Sequence, residues 1–180
     1  YEGLTQKEVE KFYNKMIDPK DPRPISYGLN SKLVKKNGKI YEQTYKVGGM
    51  YTEALEQIVF WLEKAEAVAE EPLKTTIGLL IKYYKSGDLK DFDAFNISWV
   101  QDTQSNVDFV NGFTETYGDP LGFKASWESV VNFIDKAACA RTQIISENAQ
   151  WFEDNAPIKP EYRKPVVKGV SAKVITVAML

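Results

Sequence analysis

The sequence predicts an α+β domain, and three patterns carry that prediction. Apolar residues recur every three to four positions through residues 55–65 and 73–84, the spacing of helices packed on one face. Asn37-Gly38 joins two extended runs, and the type I′ turn of a tight hairpin needs positive φ at both central residues. Residues 107–116 are rich in β-branched and aromatic side chains and read as a strand. At 180 residues the chain fits one ordinary domain with a sizeable core. Mixed helices with a small, mainly antiparallel sheet or partial barrel are expected, in three stretches. These are helix plus hairpin over 1–50, helices over 51–102, and strand, long helix and strand over 103–180.

Leu4-Thr5-Gln6-Lys7-Glu8 forms a capping box, with Thr5 as N-cap, Glu8 reaching back to it, and Leu4 and Val9 spaced as a hydrophobic staple. Val9, Phe12, Tyr13 and Met16 continue at helical spacing, so a helix is expected to about Ile17, ahead of Pro19. Pro22 and Pro24 keep the next residues extended. The hairpin pairs 31–36 with 39–47 and sets Val34 opposite Tyr41. Gly48-Gly49 ends it, and Thr52 is expected to cap a helix to about Glu70 with Leu55, Ile58, Val59, Leu62 and Ala65 as its stripe. Pro72 opens a third helix, lined by Leu73, Ile77, Leu80, Ile81 and Tyr84 and stopped by Gly87. A shorter helix from Asp88 to about Val100 carries Leu89, Phe92 and Phe95.

Side chains alternate along a strand. Asp108, Val110, Gly112, Thr114 and Thr116 therefore share one face, and Phe109, Asn111, Phe113, Glu115 and Tyr117 the other. Gly112 inside the run marks a bulge or a close backbone approach, with a ligand among the candidates. Gly118-Asp119-Pro120 breaks the pattern as a turn. A core-facing helix is then expected over 126–152, since Trp127, Val130, Val131, Ile134, Ala137, Ala138, Ile144, Ile145 and Trp151 recur at helical spacing. Pro157, Pro160 and Pro165 mark a surface connection, and 166–180 reads as one or two strands, the last fully buried.

Composition narrows the function classes. The apolar share of 43% and charged share of 27% describe a globular protein. With a formal charge of -2 and Lys and Arg scattered among Asp and Glu, no basic stripe points to nucleic acid. No apolar run approaches the roughly 18 residues of a membrane span. Cys139 is alone, which rules out an internal disulfide, favours a cytoplasmic setting and fits a small buried hydrophobe. The absence of histidine excludes a Ser-His-Asp triad, a Cys-His pair and any His-ligated zinc within this chain. Together with the start at Tyr1-Glu2-Gly3 and the apolar end, it leads to the expectation of a piece excised from a longer protein.

Asp108, Glu115 and Asp119 are the carboxylates that cluster with aromatics. A carboxylate on a strand face can bind an ammonium or steer a water. The simpler assignments give Asp119 a turn cap and Glu115 a surface cation. Strand parity separates Asp108 from Glu115 unless a bulge at Gly112 shifts the register, which argues against an acid/base pair. Residues 112–122 carry neither a phosphate-loop Lys-Ser/Thr pair nor a dinucleotide fingerprint, and Lys124 reads as solvated. Phe60 and Trp61 read as helix core.

Trp99-Val100-Gln101-Asp102, Val107-Asp108, then Gly112-Phe113-x-Glu115-x-Tyr117-x-Asp119-Pro120-x-Gly122 resemble the dipeptidyl peptidase III family of zinc exopeptidases. The likeness extends upstream through Leu62-Glu63-Lys64-Ala65 and covers about residues 48–180. Tyr27-Gly28-Leu29-Asn30-Ser31 is similar to the bacterial and plant-type branch, some members of which carry a fused Nudix domain; no Nudix box occurs here. The resemblance implies part of the α/β lobe of a two-lobed peptidase, with peptide as substrate and the remaining lobe of the same polypeptide as partner. It also implies a zinc motif, H-E-x-x-G-H, beyond Leu180, so that this chain holds no catalytic or metal residue and is inactive alone. Asp108 falls where the family places an acidic residue facing the substrate's amino terminus, and Val110 stands where the better-known branch has an oxyanion-stabilising tyrosine. Gly112, Glu115, Tyr117, Asp119 and Pro120 match positions that shape the cleft. An alternative follows from Val110: a non-catalytic peptide-binding or interaction domain from a degenerate relative.

Overall fold

A computed structural model describes residues 1–168 and 174–179. The elements are α1 (Gln6–Asn14), β1 (Ser31–Lys36), β2 (Lys39–Thr44), α2 (Thr52–Val68), α3 (Leu73–Ser86), α4 (Leu89–Gln101), β3 (Val107–Glu115), β4 (Ser126–Ile134), α5 (Lys136–Glu147), α6 (Ala149–Asn155) and β5 (Ile175–Met179). The class is α+β, with a two-stranded sheet β1-β2 and a three-stranded sheet ordered β3-β4-β5. No described helix is long and apolar enough to cross a membrane. The chain forms two compact units, one of residues 1–105 and 111–129, the other of 106–110 and 130–180, so β3 and β4 each contribute to both.

In the first unit, Glu8 accepts the Thr5 amide at 2.9 Å, which starts α1, and Val9 and Tyr13 from that helix bury against Leu33 of β1. The hairpin has the expected register, Val34 opposite Tyr41, with φ of 52° at Asn37 and 75° at Gly38. α3 packs against both α2 and α4 and buries Ile77, Leu80, Ile81, Tyr83 and Tyr84. Asp88 caps α4 by accepting the Lys90 amide.

Several expectations need correction. Residues 126–134 are strand β4, not helix. Trp127, Val130, Val131 and Ile134 satisfy helical spacing, but β-branched residues also suit a strand, and β3 and β5 flank this segment on both sides. Helix starts only after Asp135, whose side chain accepts the Ala138 amide at 2.8 Å, and it is split into α5 and α6 around Asn148. Its supposed core side is exposed at Ile144, Ile145 and Trp151. The last strand lies at the edge of its sheet and is exposed at all five positions; the rest of the stretch expected as strand includes 169–173 and 180, which lie outside the described residues. Phe60 and Trp61 are exposed too, since α2 turns Leu55 and Val59 inward. Thr52 is the first residue of α2, and Tyr51, in the left-handed region at φ 64°, is its N-cap.

Lys124 is the largest departure from expectation. Its side chain is only 15% exposed. The ammonium donates to the Tyr13 hydroxyl, to Ser31 Oγ at 3.0 Å and to the Gly28 carbonyl at 3.1 Å. Both hydroxyls pass hydrogen bonds on to Glu42 Oε1, Tyr13 at 2.8 Å and Ser31 at 2.5 Å. The result is a closed ring, Lys124–Tyr13–Glu42–Ser31, that ties the β3–β4 loop to α1 and the hairpin. Desolvation outweighs the charges of Glu42 and Asp119 and holds the Lys124 ammonium down at about 8.

The unfolded chain binds a proton at Lys124 up to its ordinary 10.5, whereas the folded chain releases it from about 8. Stability at this residue therefore rises with pH across that window. Tyr1 and Tyr13 are raised by burial and oppose this only above their ordinary 10.0. Urea denaturation between about pH 8 and 9.5 should show that slope in the native chain and not in Lys124→Met; equal slopes would refute the assignment. Separately, Gly112 sits at φ 155°, and a Cβ there would lie 3.1 Å from the Phe92 ring. Gly112→Ala should cost about 1–3 kcal/mol, and Phe92→Leu should relieve part of that cost in the double variant.

Candidate functional site

The site is built on β3 and β4. Two bonds set their register: the Ile134 amide donates to the Asn106 carbonyl at 2.8 Å, and Asn111 Nδ2 donates to Ser129 Oγ at 3.1 Å. Both give the same antiparallel alignment, which sets Asn132 directly across from Asp108 on one face. In the second unit, Asp108 is 8% exposed and Asn132 4%. Asp108 Oδ1 accepts the Phe109 amide at 3.0 Å. Asn132 Oδ1 is buried with no hydrogen-bond partner among the described residues. Leaving such an acceptor unmet costs about 1–3 kcal/mol. β4 is also irregular here: Val131 pairs with Met179 but Asn132 with Val177, so Ala178 is an extra residue in β5.

In the first unit the same strands are clamped by α3. The Tyr84 hydroxyl donates to Asn111 Oδ1 and accepts from Trp127 Nε1 at 2.9 Å. The close approach at Gly112 is made by the Phe92 ring. Among the described residues, the charged group that acts on Glu115 is the Glu128 carboxylate and not the expected surface cation. Partial burial first, then the Glu128 carboxylate, raise its carboxyl above the ordinary range. Glu128 in turn accepts the Thr114 hydroxyl at 2.6 Å. Asp119 does cap its turn, accepting the amides of Leu121, Phe123 and Lys124. Those bonds and one from the Tyr1 hydroxyl overcome burial and lower its carboxyl.

Of the expected site residues, Asp108 and Val110 lie in the second unit and Gly112 and Glu115 in the first; Val110 is half-buried and offers no donor. Asn132 was hidden in sequence because the segment around it read as helix. The available signal was a polar residue inside Val130-Val131-Asn132-Phe133-Ile134, a run otherwise apolar. Among the described residues no three His, Cys, Asp or Glu side chains are placed to hold a metal ion. Such a shared carboxyl pair makes a prediction. Glu115 keeps its proton above the unfolded value, so its contribution to stability is lost as pH rises through its titration. Glu128→Gln should lower the Glu115 titration toward its ordinary 4.5, read by carboxyl carbon NMR; an unmoved midpoint would show that the two groups do not interact.

The sequence model of peptidase family M49 matches residues 6–173. Nudix hydrolase 3 of Arabidopsis thaliana is 28% identical over 146 residues, 80% of this chain and 18% of that protein. Human dipeptidyl peptidase 3 is 27% identical over 117 residues, 64% of this chain and 16% of that protein. The solved structure of DPP III from Caldithrix abyssi superposes with a TM-score of 0.72 at 22% identity, over 91% of this chain and 30% of that one. The chain thus spans less than a third of each of these relatives. With its fold shared and its sequence matched nearly end to end, the chain belongs to peptidase family M49.

Proposed function

We propose that this chain is the substrate-cleft portion of a zinc-dependent dipeptidyl peptidase that releases dipeptides from the amino termini of peptides. The family match over residues 6–173 carries the reading. On this reading the metal is held by polypeptide outside this chain, which is inactive alone, and the partners are a peptide substrate and the remaining lobe. A lone cysteine fits a reducing compartment such as the cytoplasm.

Within this chain, the chemistry is recognition. A carboxylate in a poorly solvated setting attracts an ammonium far more strongly than one in water. Asp108, 8% exposed on β3, is the group proposed to take the peptide's terminal amine. An anchor of that kind also measures length. Two extended residues span about 7 Å, so fixing the amine fixes which peptide bond reaches the reacting centre. Val110 carries no donor, so an oxyanion would need another group. That observation favours the second reading, a peptide-binding lobe without catalysis.

In the full-length protein, Asp108→Ala should raise KM for dipeptidyl-naphthylamides by about 10–100-fold, the loss of one charge-assisted hydrogen bond. An unchanged KM would remove Asp108 from the site. Peptide binding without turnover in the native protein would select the second reading.

A further inference from the structure

We infer that the apolar side of α5 and α6, carried by Ile144, Ile145, Trp151 and Phe152, is the docking surface for polypeptide of the same protein that lies outside this chain. The inference rests on the proposed function, in which this chain is one portion of a longer peptidase, and names a surface of the second unit that the remaining polypeptide covers.

Ile144 and Ile145 lie near the end of α5, Trp151 and Phe152 on α6, and all four are between 50% and 62% exposed. Asn148 links the helices: its amide donates to the Ile144 and Ile145 carbonyls, and its carbonyl accepts the Phe152 amide at 3.1 Å. Ile144 and Trp151, like Ile145 and Phe152, are about two helical turns apart, so the four share one side. The Trp151 and Phe152 rings meet edge to face with centroids 5.2 Å apart, which makes them one apolar block. The other side of the helices is taken by the chain itself. There Gln150 Oε1 accepts the Val167 amide at 2.8 Å, Glu153 Oε1 the Lys164 amide at 2.7 Å, and Cys139 Sγ the Val174 amide at 3.2 Å.

The occupant is set by how little else holds these helices. α5 has 12 residues and α6 has 7, and of their described side chains only Ala138 is buried. Helices of that length are marginal in water unless an apolar face is packed. The exposed side is therefore needed for the helices themselves to persist, and it calls for permanent cover. A transient partner docks on an element that stands without it, as α2 does with 17 residues and with Leu55 and Val59 buried. Cover from the same polypeptide is permanent and avoids the entropic cost of bringing a second molecule. The chain spans 16–30% of the relatives it matches, so a protein of their length has ample chain to supply it. From Ile144 to Phe152 the surface runs about 12 Å along the axis, the length of two turns of an apolar helix.

The test uses the full-length protein with Ile144→Cys and Phe152→Cys, made separately, and Asp154→Cys as a control at an exposed position off the apolar side. Each is treated with a maleimide and read peptide by peptide by mass spectrometry. The first two should react at least about 100-fold more slowly in the native protein than in urea, as sites opened only by local unfolding do, and the control at nearly equal rates in both. Native reaction as fast as at the control would overturn the inference. If either replacement prevents folding, hydrogen exchange of the unsubstituted protein gives the same reading: protected amides over 144–152 support it, and exchange at unstructured rates overturns it. Protection that is lost on dilution as a dimer dissociates, followed by sedimentation, assigns the surface to a second copy and also overturns it; protection in a monomer supports it. Turnover of a dipeptidyl-naphthylamide is assayed on the same preparations. Turnover with fast labelling sinks this inference alone, and protection with neither turnover nor peptide binding sinks the proposed function alone.

Discussion

The register in which β3 meets β4 is the constraint on which everything in this chain depends. Side chains on a strand alternate, so a slip of one residue would turn Asp108 to the opposite face and part it from Asn132. The structure guards against that slip with the Asn106–Ile134 backbone bond in one unit and Asn111–Ser129 in the other. Tyr84 adds a third control by holding Asn111 and Trp127 with one buried hydroxyl. Asn111 is satisfied on both ends of its amide, which makes the position intolerant of an apolar replacement.

Buried charge is handled differently in the two units. Lys124 in the first is ringed by acceptors, and its countercharge, Glu42, is reached mainly through two hydroxyls. That arrangement spends a buried cation on joining three separated segments, the β3–β4 loop, α1 and the hairpin. Asp119 serves the same loop from the other side by taking three backbone amides that no strand or helix would satisfy. In the second unit, Asp108 takes the Phe109 amide, and Asn132 on the neighbouring strand keeps a buried carbonyl oxygen with no hydrogen-bond partner among the described residues.

Exposure of apolar side chains also differs from the expectation of a self-sufficient domain. Trp61 and Val68 on α2, Trp151 and Phe152 on α6, and Val177 and Met179 on β5 all reach solvent. Sequence pattern reports which residues are apolar at helical or strand spacing, and on α2 it found Leu55 and Val59 but also counted Ala65, which is exposed. It does not report what covers each side, so Phe60 and Trp61 were assigned to a core that α2 instead builds from Leu55 and Val59. β4 shows the same limit on element type. Trp127, Val130, Val131 and Ile134 fit a helix and a strand alike, and pairing with β3 and β5 decided between them.

Local chemistry was legible wherever a few adjacent residues settle a conformation. Thr5 and Glu8 started α1, Asn37-Gly38 turned the hairpin, Gly87 stopped α3, Asp119 capped its loop, and the ordered motif from Trp99 to Gly122 pointed to the family. Long-range assembly was not legible in the same way. The burial of Lys124 depends on partners some 80–110 residues away in sequence. The juxtaposition of Asn132 with Asp108 depends on a strand pairing that no window of neighbouring residues contains. The sequence by itself determined where the chain turns, starts and stops, because those events are governed by backbone sterics within a few residues. Which polar groups meet, and which is left unpaired, was decided only when the strands closed, because burial and hydrogen-bond partners are properties of the packed fold.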